Sequence, residues 1–252
     1  MEGIIAVVNQ KGGVGKTTTA VNLSACLAAL GNSVLLMDLD PQGNATSGVG
    51  LDKDKVKICI YDALINELPV EKVIYPTEHS NLDCMPATIQ LAGAEIELVP
   101  TISREVRLRR MIKPLLGRYK HIIIDCPPSL GLLTLNALTA ADMVLVPIQC
   151  EYYALEGLGQ LVKTIDLVKQ HLNSALKIGG VLLTMYDQRT NLSAQVAAEV
   201  RKYFGQLVFE AVIPRNVRLS EAPSHGKPII EYDPRSKGAK MYKKMAREVM
   251  QR

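Results

Sequence analysis

The densest chemistry lies near the N-terminus, in Asn9-Gln10-Lys11-Gly12-Gly13-Val14-Gly15-Lys16-Thr17-Thr18. A short apolar run precedes this segment and a helical pattern follows it. Glycines allow a backbone to turn its N–H groups inward onto anionic oxygens. The start of a helix adds partial positive charge. In such a loop Lys16 reaches the β- and γ-phosphates of a nucleoside triphosphate, and the Thr17 hydroxyl suits magnesium, a hard cation that prefers oxygen. The spacing departs from the usual G-x-x-x-x-G-K-[ST]: Gln10 stands where the first glycine belongs, and Lys11 is an additional lysine. Gly13-Val14-Gly15 also supplies two glycines of a dinucleotide fingerprint, but its third position is Thr18. Lysine and threonine together favour the triphosphate.

Three carboxylates fall where that triphosphate would lie. Asp38 and Asp40 follow an apolar run, and residues two apart on a strand share a face. Asp38 reads as a loop-capping carboxylate. Asp125 ends the run Ile122-Ile123-Ile124 and reads as an acid held near magnesium through water; a turn-forming carboxylate before Pro127 and Pro128 is the plainer alternative.

The elements that must hold these groups alternate. Ile4–Val8, Ser33–Met37, Ile122–Ile124, Met143–Ile148 and Ile178–Thr184 are short, continuous and aliphatic, as buried parallel strands are. Helical patterns lie between them at Thr17–Leu30, Arg104–Ile112, Leu132–Ala141, Leu158–Leu172 and Ser193–Tyr203. Gly31 sits where a left-handed cap is expected, and Pro114 should end or kink the second helix. Residues 43–78 are less regular and suit loops or short helices over the active face. The expectation is an α/β fold with a doubly wound, mostly parallel sheet and helices on both faces, formed by one domain over residues 1–252. Ligands of such sheets bind at the carboxyl edge of the strands.

Composition agrees. Hydrophobic residues make up 48% of the 252, charged residues 21%, and there is no Trp. The five cysteines form no Cys-x-x-Cys pair and have no His at metal spacing, which fits reduced thiols. The N-terminal segment has no basic start and too short an apolar stretch for a signal peptide, and no window reaches the roughly 18 apolar residues of a membrane span. Net charge is +4 but uneven: residues 177–252 hold 14 Lys and Arg against 7 Asp and Glu. That third suggests a polyanion partner, with a solvated Lys-rich surface as the alternative. Its last piece, Ser236–Arg252, is a basic helix whose stripe of Met241, Met245 and Val249 suits docking on its own domain.

The variant K-G-G-x-G-K-T-T is the deviant Walker A motif. With VLLMDLDPQGNAT (34–46), YKHIIIDCPPSLG (119–131) and VIPRNVRLSEAPSHGKPI (212–229), it makes the chain resemble the ParA/MinD family of P-loop ATPases, and within it the chromosomal ParA, or Soj, type. The motifs are spread over most of the chain. The resemblance implies an ATPase using ATP and magnesium, with a phosphate loop of Lys11, Gly12, Gly13, Val14, Gly15, Lys16, Thr17 and Thr18. It implies that Thr17 and Asp125 serve the metal and that Asp40 positions the attacking water. Lys11 would reach the phosphates bound by a second subunit, making a homodimer sandwiched on two ATP molecules. Pro214 and Asn216 would lie by the adenine, against the competing reading of a plain turn. Members bind double-stranded DNA without sequence preference through basic residues, for which Arg189, Arg218 and the lysines of the last helix are candidates, and a ParB-like protein stimulates hydrolysis. A cytoplasmic, nucleoid-associated protein is implied. A MinD-like membrane cycle and a cluster-carrying protein of the nitrogenase iron protein type are the alternatives. The many lysines of the last helix speak against the first, and the cysteine spacing speaks against the second.

Overall fold

The computed structural model describes residues 2–151 and 158–252. Within them one sheet contains β1 (Gly3–Val7), β2 (Val34–Asp38), β3 (Tyr75–Pro76), β4 (Leu82–Met85), β5 (His121–Asp125), β6 (Met143–Gln149), β7 (Lys177–Tyr186) and β8 (Val208–Pro214). Their order is β3-β4-β2-β5-β1-β6-β7-β8, parallel except for β3. The helices are α1 (Lys16–Ala29), α2 (Asn44–Gly48), α3 (Ile60–Leu64), α4 (Leu91–Glu97), α5 (Arg107–Ile112), α6 (Leu132–Ala140), α7 (Leu158–His171), α8 (Asn191–Phe204), α9 (Val217–Glu221), α10 (Ile229–Tyr232) and α11 (Lys237–Gln251).

The aliphatic strands are continuous because both of their faces are covered. Ile4, Ala6, Leu35, Met37, Ile122 and Ile124 pack into the layer that holds α3 to α8. Ile5, Val7, Val34, Leu36 and Ile123 pack into the opposite layer with α1, α2 and α9 to α11. The central register then aligns the chemistry. Val7 and Asp38 each lie opposite Asp125, so three strands end together at one edge. The phosphate loop leaves β1 at that point.

Several expectations hold in detail. Gly31 is left-handed at φ 84°, and residues 43–78 contain only short helices, turns and the two-residue β3. Other points differ. β4 and β8 are strands that the apolar pattern did not mark. Leu82-Asp83-Cys84-Met85 is short and interrupted by an acid. In β8, Glu210 breaks the run and is exposed on the sheet's edge. The helix expected over 104–112 begins as a 3₁₀ turn at Arg104–Val106, whereas its α-helical part ends at Ile112 as expected, with Pro114 inside a further 3₁₀ turn at Lys113–Leu115. Proline is tolerated early in a helical turn, where its missing N–H has no partner to lose.

The sheet's last strand is tied by α11. The Glu248 carboxylate accepts the N–H groups of Glu210 and Ala211, both at 2.8 Å. Arg252 donates to the carbonyls of Gly179, Gln206, Leu207 and Val208, and its guanidinium lies 4.1 Å over the Phe209 ring.

Candidate functional site

The phosphate loop is shaped by its glycines and held by its neighbours. Gly13 and Gly15 adopt φ values of 75° and 88°, which side chains rarely tolerate. Asn9 anchors the entry: its amide donates to the Pro147 carbonyl at 2.8 Å, and its Oδ1 accepts the Lys11 N–H at 3.0 Å. Thr184, at the end of β7, donates its hydroxyl to the Val14 carbonyl at 2.8 Å. Lys16 is buried, and its ammonium donates to the Lys11 carbonyl at 2.9 Å. Burial pushes the Lys16 ammonium below its ordinary pKa, while Asp125 and Asp40 hold it partly up. Among the described residues, none pairs with the Lys11 ammonium. Gly12, Gly13 and Val14 complete the turn, and Thr17 and Thr18 lie in the first turn of α1.

The three carboxylates have separate environments. Asp38 is fully buried and saturated: it accepts the Thr46 N–H at 2.8 Å, the Thr46 hydroxyl at 2.7 Å and the Asp40 N–H at 3.1 Å. Burial pushes its pKa up to about 6 against those bonds. It is a capping carboxylate that fixes α2 and the turn after β2. Asp40 keeps a 9% exposed side chain at the rim and accepts the Gln42 N–H. Asp125 is fully buried, and neither of its oxygens has a hydrogen bond of normal geometry. Burial raises its pKa well above the carboxylate range, Asp38 adds to this, and the nearby Thr17 hydroxyl counters it. A buried, unsatisfied carboxylate is costly unless something compensates it. Its chemistry, beside a threonine hydroxyl, fits a hard divalent cation. No group of three His, Cys, Asp or Glu able to hold a metal alone occurs among the described residues. Magnesium that keeps its waters and phosphate oxygens needs no such cage.

A cavity of about 530 Å³ opens beside the loop. Gly15 and Thr18 form one wall, Pro214 and Asn216 another, and Tyr242 of α11 a third. The structure therefore brings Pro214 and Asn216 to the phosphate loop. Asn216 also has the structural role of the plainer reading, since its Oδ1 accepts the Arg218 N–H and caps α9.

The two basic candidates are exposed and engaged. Arg189 forks onto Asp187 at 2.9 and 2.7 Å, and holds that carboxyl well below its usual range. Arg218 pairs with Glu221 at 2.8 Å. Exposed pairs of this kind are weak enough to exchange for another anion. On α11, Lys237, Lys240, Lys243 and Arg247 face outward. Cys26, Cys59, Cys84, Cys126 and Cys150 are all free and buried.

Sequence reasoning did not find Asn9, Thr46, Thr184 or Tyr242. Thr184 had a usable signal, because it ends an expected strand at the same edge as Asp125.

A parallel sheet whose first strand opens into a Gly-Lys-Thr-Thr loop, with an unpartnered aspartate ending the neighbouring strand, defines a P-loop nucleotide-binding protein of the deviant Walker A kind. The AAA domain family model matches residues 2–178. The sporulation initiation inhibitor protein Soj of Bacillus subtilis is 66% identical over 99% of this chain and 98% of its own length. The chromosome partitioning protein ParA of Myxococcus xanthus is 60% identical over 99% of this chain and 88% of its own. Among solved structures, cobyrinic acid a,c-diamide synthase from Mycobacterium smegmatis, with bound ADP and magnesium, superposes at a TM-score of 0.87 with 40% identity, covering 100% of this chain and 95% of that one. The chain belongs to the Soj/ParA family of chromosome-partitioning ATPases.

Proposed function

We propose that one domain, using ATP and magnesium, works as an ATP-gated clamp on DNA that drives chromosome or plasmid partition with a ParB-like partner. The observation that carries this reading is the pairing, at one sheet edge, of a deviant triphosphate loop with a second lysine, Lys11, whose ammonium has no partner among the described residues.

The roles follow from position. Backbone N–H groups from Gly12 to Thr18 and the Lys16 ammonium cradle the β- and γ-phosphates. Thr17 and Asp125 hold magnesium, which neutralises phosphate charge when bound. Asp40, nearly buried at the rim of the site, orients the water. Lys11 serves the phosphates of the second copy, so ATP is part of the interface and stabilises the dimer by mass action. Pro214 and Asn216 border the base. Arg189, Arg218 and the outward lysines of α11 contact duplex phosphates without reading sequence. The working place is the cytoplasm, on the nucleoid.

The MinD-like alternative needs a terminal helix that can leave the domain. Here α11 buries Tyr242, Met245 and Val249, each worth roughly 1.5–3 kcal/mol. Arg252 adds its hold on four carbonyls. No helix among the described residues is long and apolar enough to cross a membrane.

The test is gel filtration with light scattering of Asp40→Ala, with ADP, with ATP, and with ATP plus non-specific duplex at low and high salt. The expected result is a dimer with ATP only, and duplex comigration that salt removes. Adding Lys11→Ala should return it to monomer while ATP still binds. A monomer under all conditions sinks the clamp.

A further inference from the structure

α11 has two faces that serve different ends of the molecule. Its outer face carries Lys237, Lys240, Lys243 and Arg247. Its inner face meets the nucleotide cavity at a single polar side chain, Tyr242. That residue is 1% exposed, lines the cavity with Gly15 and Thr18, and shares a 3.2 Å hydrogen bond with the Thr19 hydroxyl. Thr19 follows the phosphate loop directly and is held by the Gly15 carbonyl through its own N–H. A second contact runs in parallel. Gly238 packs so closely on α9 that a β-carbon there would stand 2.9 Å from Leu219 Cγ. α9 is the helix that Asn216 caps and that carries Arg218. α11 thus touches two other pieces of the cavity wall, α1 and α9, and both α9 and α11 present cations outward.

We propose that Tyr242 is a positioning residue that links occupancy of the base cavity to the basic outer face of α11. It rests on the chain being an ATP-gated DNA binder, and adds the route by which the base end of the nucleotide reaches the cations. A hydrogen bond from the buried face of α11 to the phosphate-loop helix, within a packed core, ties the two helices, so that a shift of α1 on nucleotide binding would carry α11 with it. Coupling between two sites is reciprocal: whatever factor the nucleotide exerts on duplex affinity, the duplex exerts on nucleotide affinity.

Tyr242→Phe keeps the ring and removes the hydroxyl. Thr19→Val removes the other half of the bond with little change of shape. Duplex affinity is measured by anisotropy at fixed salt, with and without a non-hydrolysable ATP analogue, and analogue affinity is measured with and without duplex. The expected result is that both ratios fall by the same factor, about fivefold for one lost hydrogen bond. The double variant should lose no more than either single one. A merely structural hydroxyl would lower the melting temperature and leave both ratios intact, and that outcome in either folded variant overturns the proposal. A fall in nucleotide affinity alone overturns it too, since Tyr242 would then only touch the base. If wild-type duplex affinity ignores the nucleotide, the clamp reading itself fails, and the proposal goes with it.

Discussion

Asp125→Asn should make the nucleotide-free protein more stable while disabling it. The carboxylate is fully buried at the end of β5, both oxygens lack a normal hydrogen bond, and Asp38 and Asp40 repel it. The amide has the same shape and no charge. Leaving a buried polar group unsatisfied costs roughly 1–3 kcal/mol, more when it is charged. The amide recovers part of that, so a gain of about 2 kcal/mol is expected. For a chain of this length each kcal/mol moves the melting temperature by about 2–4 °C, which predicts a rise of roughly 4–8 °C. The assay is thermal unfolding at neutral pH, first with a chelator and no nucleotide, then with magnesium and a non-hydrolysable ATP analogue. The wild type should gain about 2.7 kcal/mol when ligand exceeds its dissociation constant a hundredfold. The variant should lose the magnesium-dependent part of that gain. An unchanged or lowered melting temperature without ligand would refute the reasoning, because it would mean that the carboxylate is already satisfied.

His121 opens β5 at the opposite edge, fully buried, with neither ring nitrogen bonded. Burial, with Lys120 adding to it, lowers its pKa from 6.5 to about 4. The unfolded chain takes up the proton first, so stability is full above about 6.5 and is lost as pH falls toward about 4. The loss approaches roughly 3 kcal/mol at 1.36 kcal/mol per unit. Melting curves of His121→Leu should flatten across that window, whereas curves parallel to wild type would exclude the residue. At Gly180 a β-carbon would stand 2.3 Å from Phe209 Cε2, on a ring already clamped by Arg252. Gly180→Ala should therefore cost about 1–3 kcal/mol in denaturant unfolding, with Phe209→Leu restoring part of it.

How much of this was legible in the sequence depended on how local each signal was. The phosphate loop, Asp125 and the central strands announce themselves because each is a contiguous run with one dominant constraint. Gly31 could be read from a single residue type at a helix end. β4 and β8 were hidden because short outer strands carry acids such as Asp83 and Glu210, which blur the aliphatic run. The cavity wall was only half legible. Pro214 and Asn216 came from a resemblance, and their closeness to Gly15 depends on β8 lying beside β7, which no local pattern states. Tyr242 stood beside the apolar stripe without a signal of its own, since nothing within α11 marks the position whose hydroxyl reaches Thr19 of α1 across 223 residues of chain. Thr46 bonds Asp38 over eight residues, a loop closure that depends on how the turn at Gly43 folds.

The treatment of the sheet's two margins bears on life in a crowd. β3 is two residues long and ends on Pro76, and β8 carries a register shift with two of its N–H groups, those of Glu210 and Ala211, given to Glu248. A margin with free N–H and C=O groups is a template on which any extended chain can add. If the proposed DNA binding holds, the protein is concentrated along a polyanion and meets its own copies continually, and a β-seam between them would outlast any chemical signal. With both margins unreceptive, the proposed clamp would join its copies at the rim that carries the triphosphate. Under that reading the junction would dissolve when the triphosphate is spent, and dense accumulation would stay reversible rather than mature into a fibre.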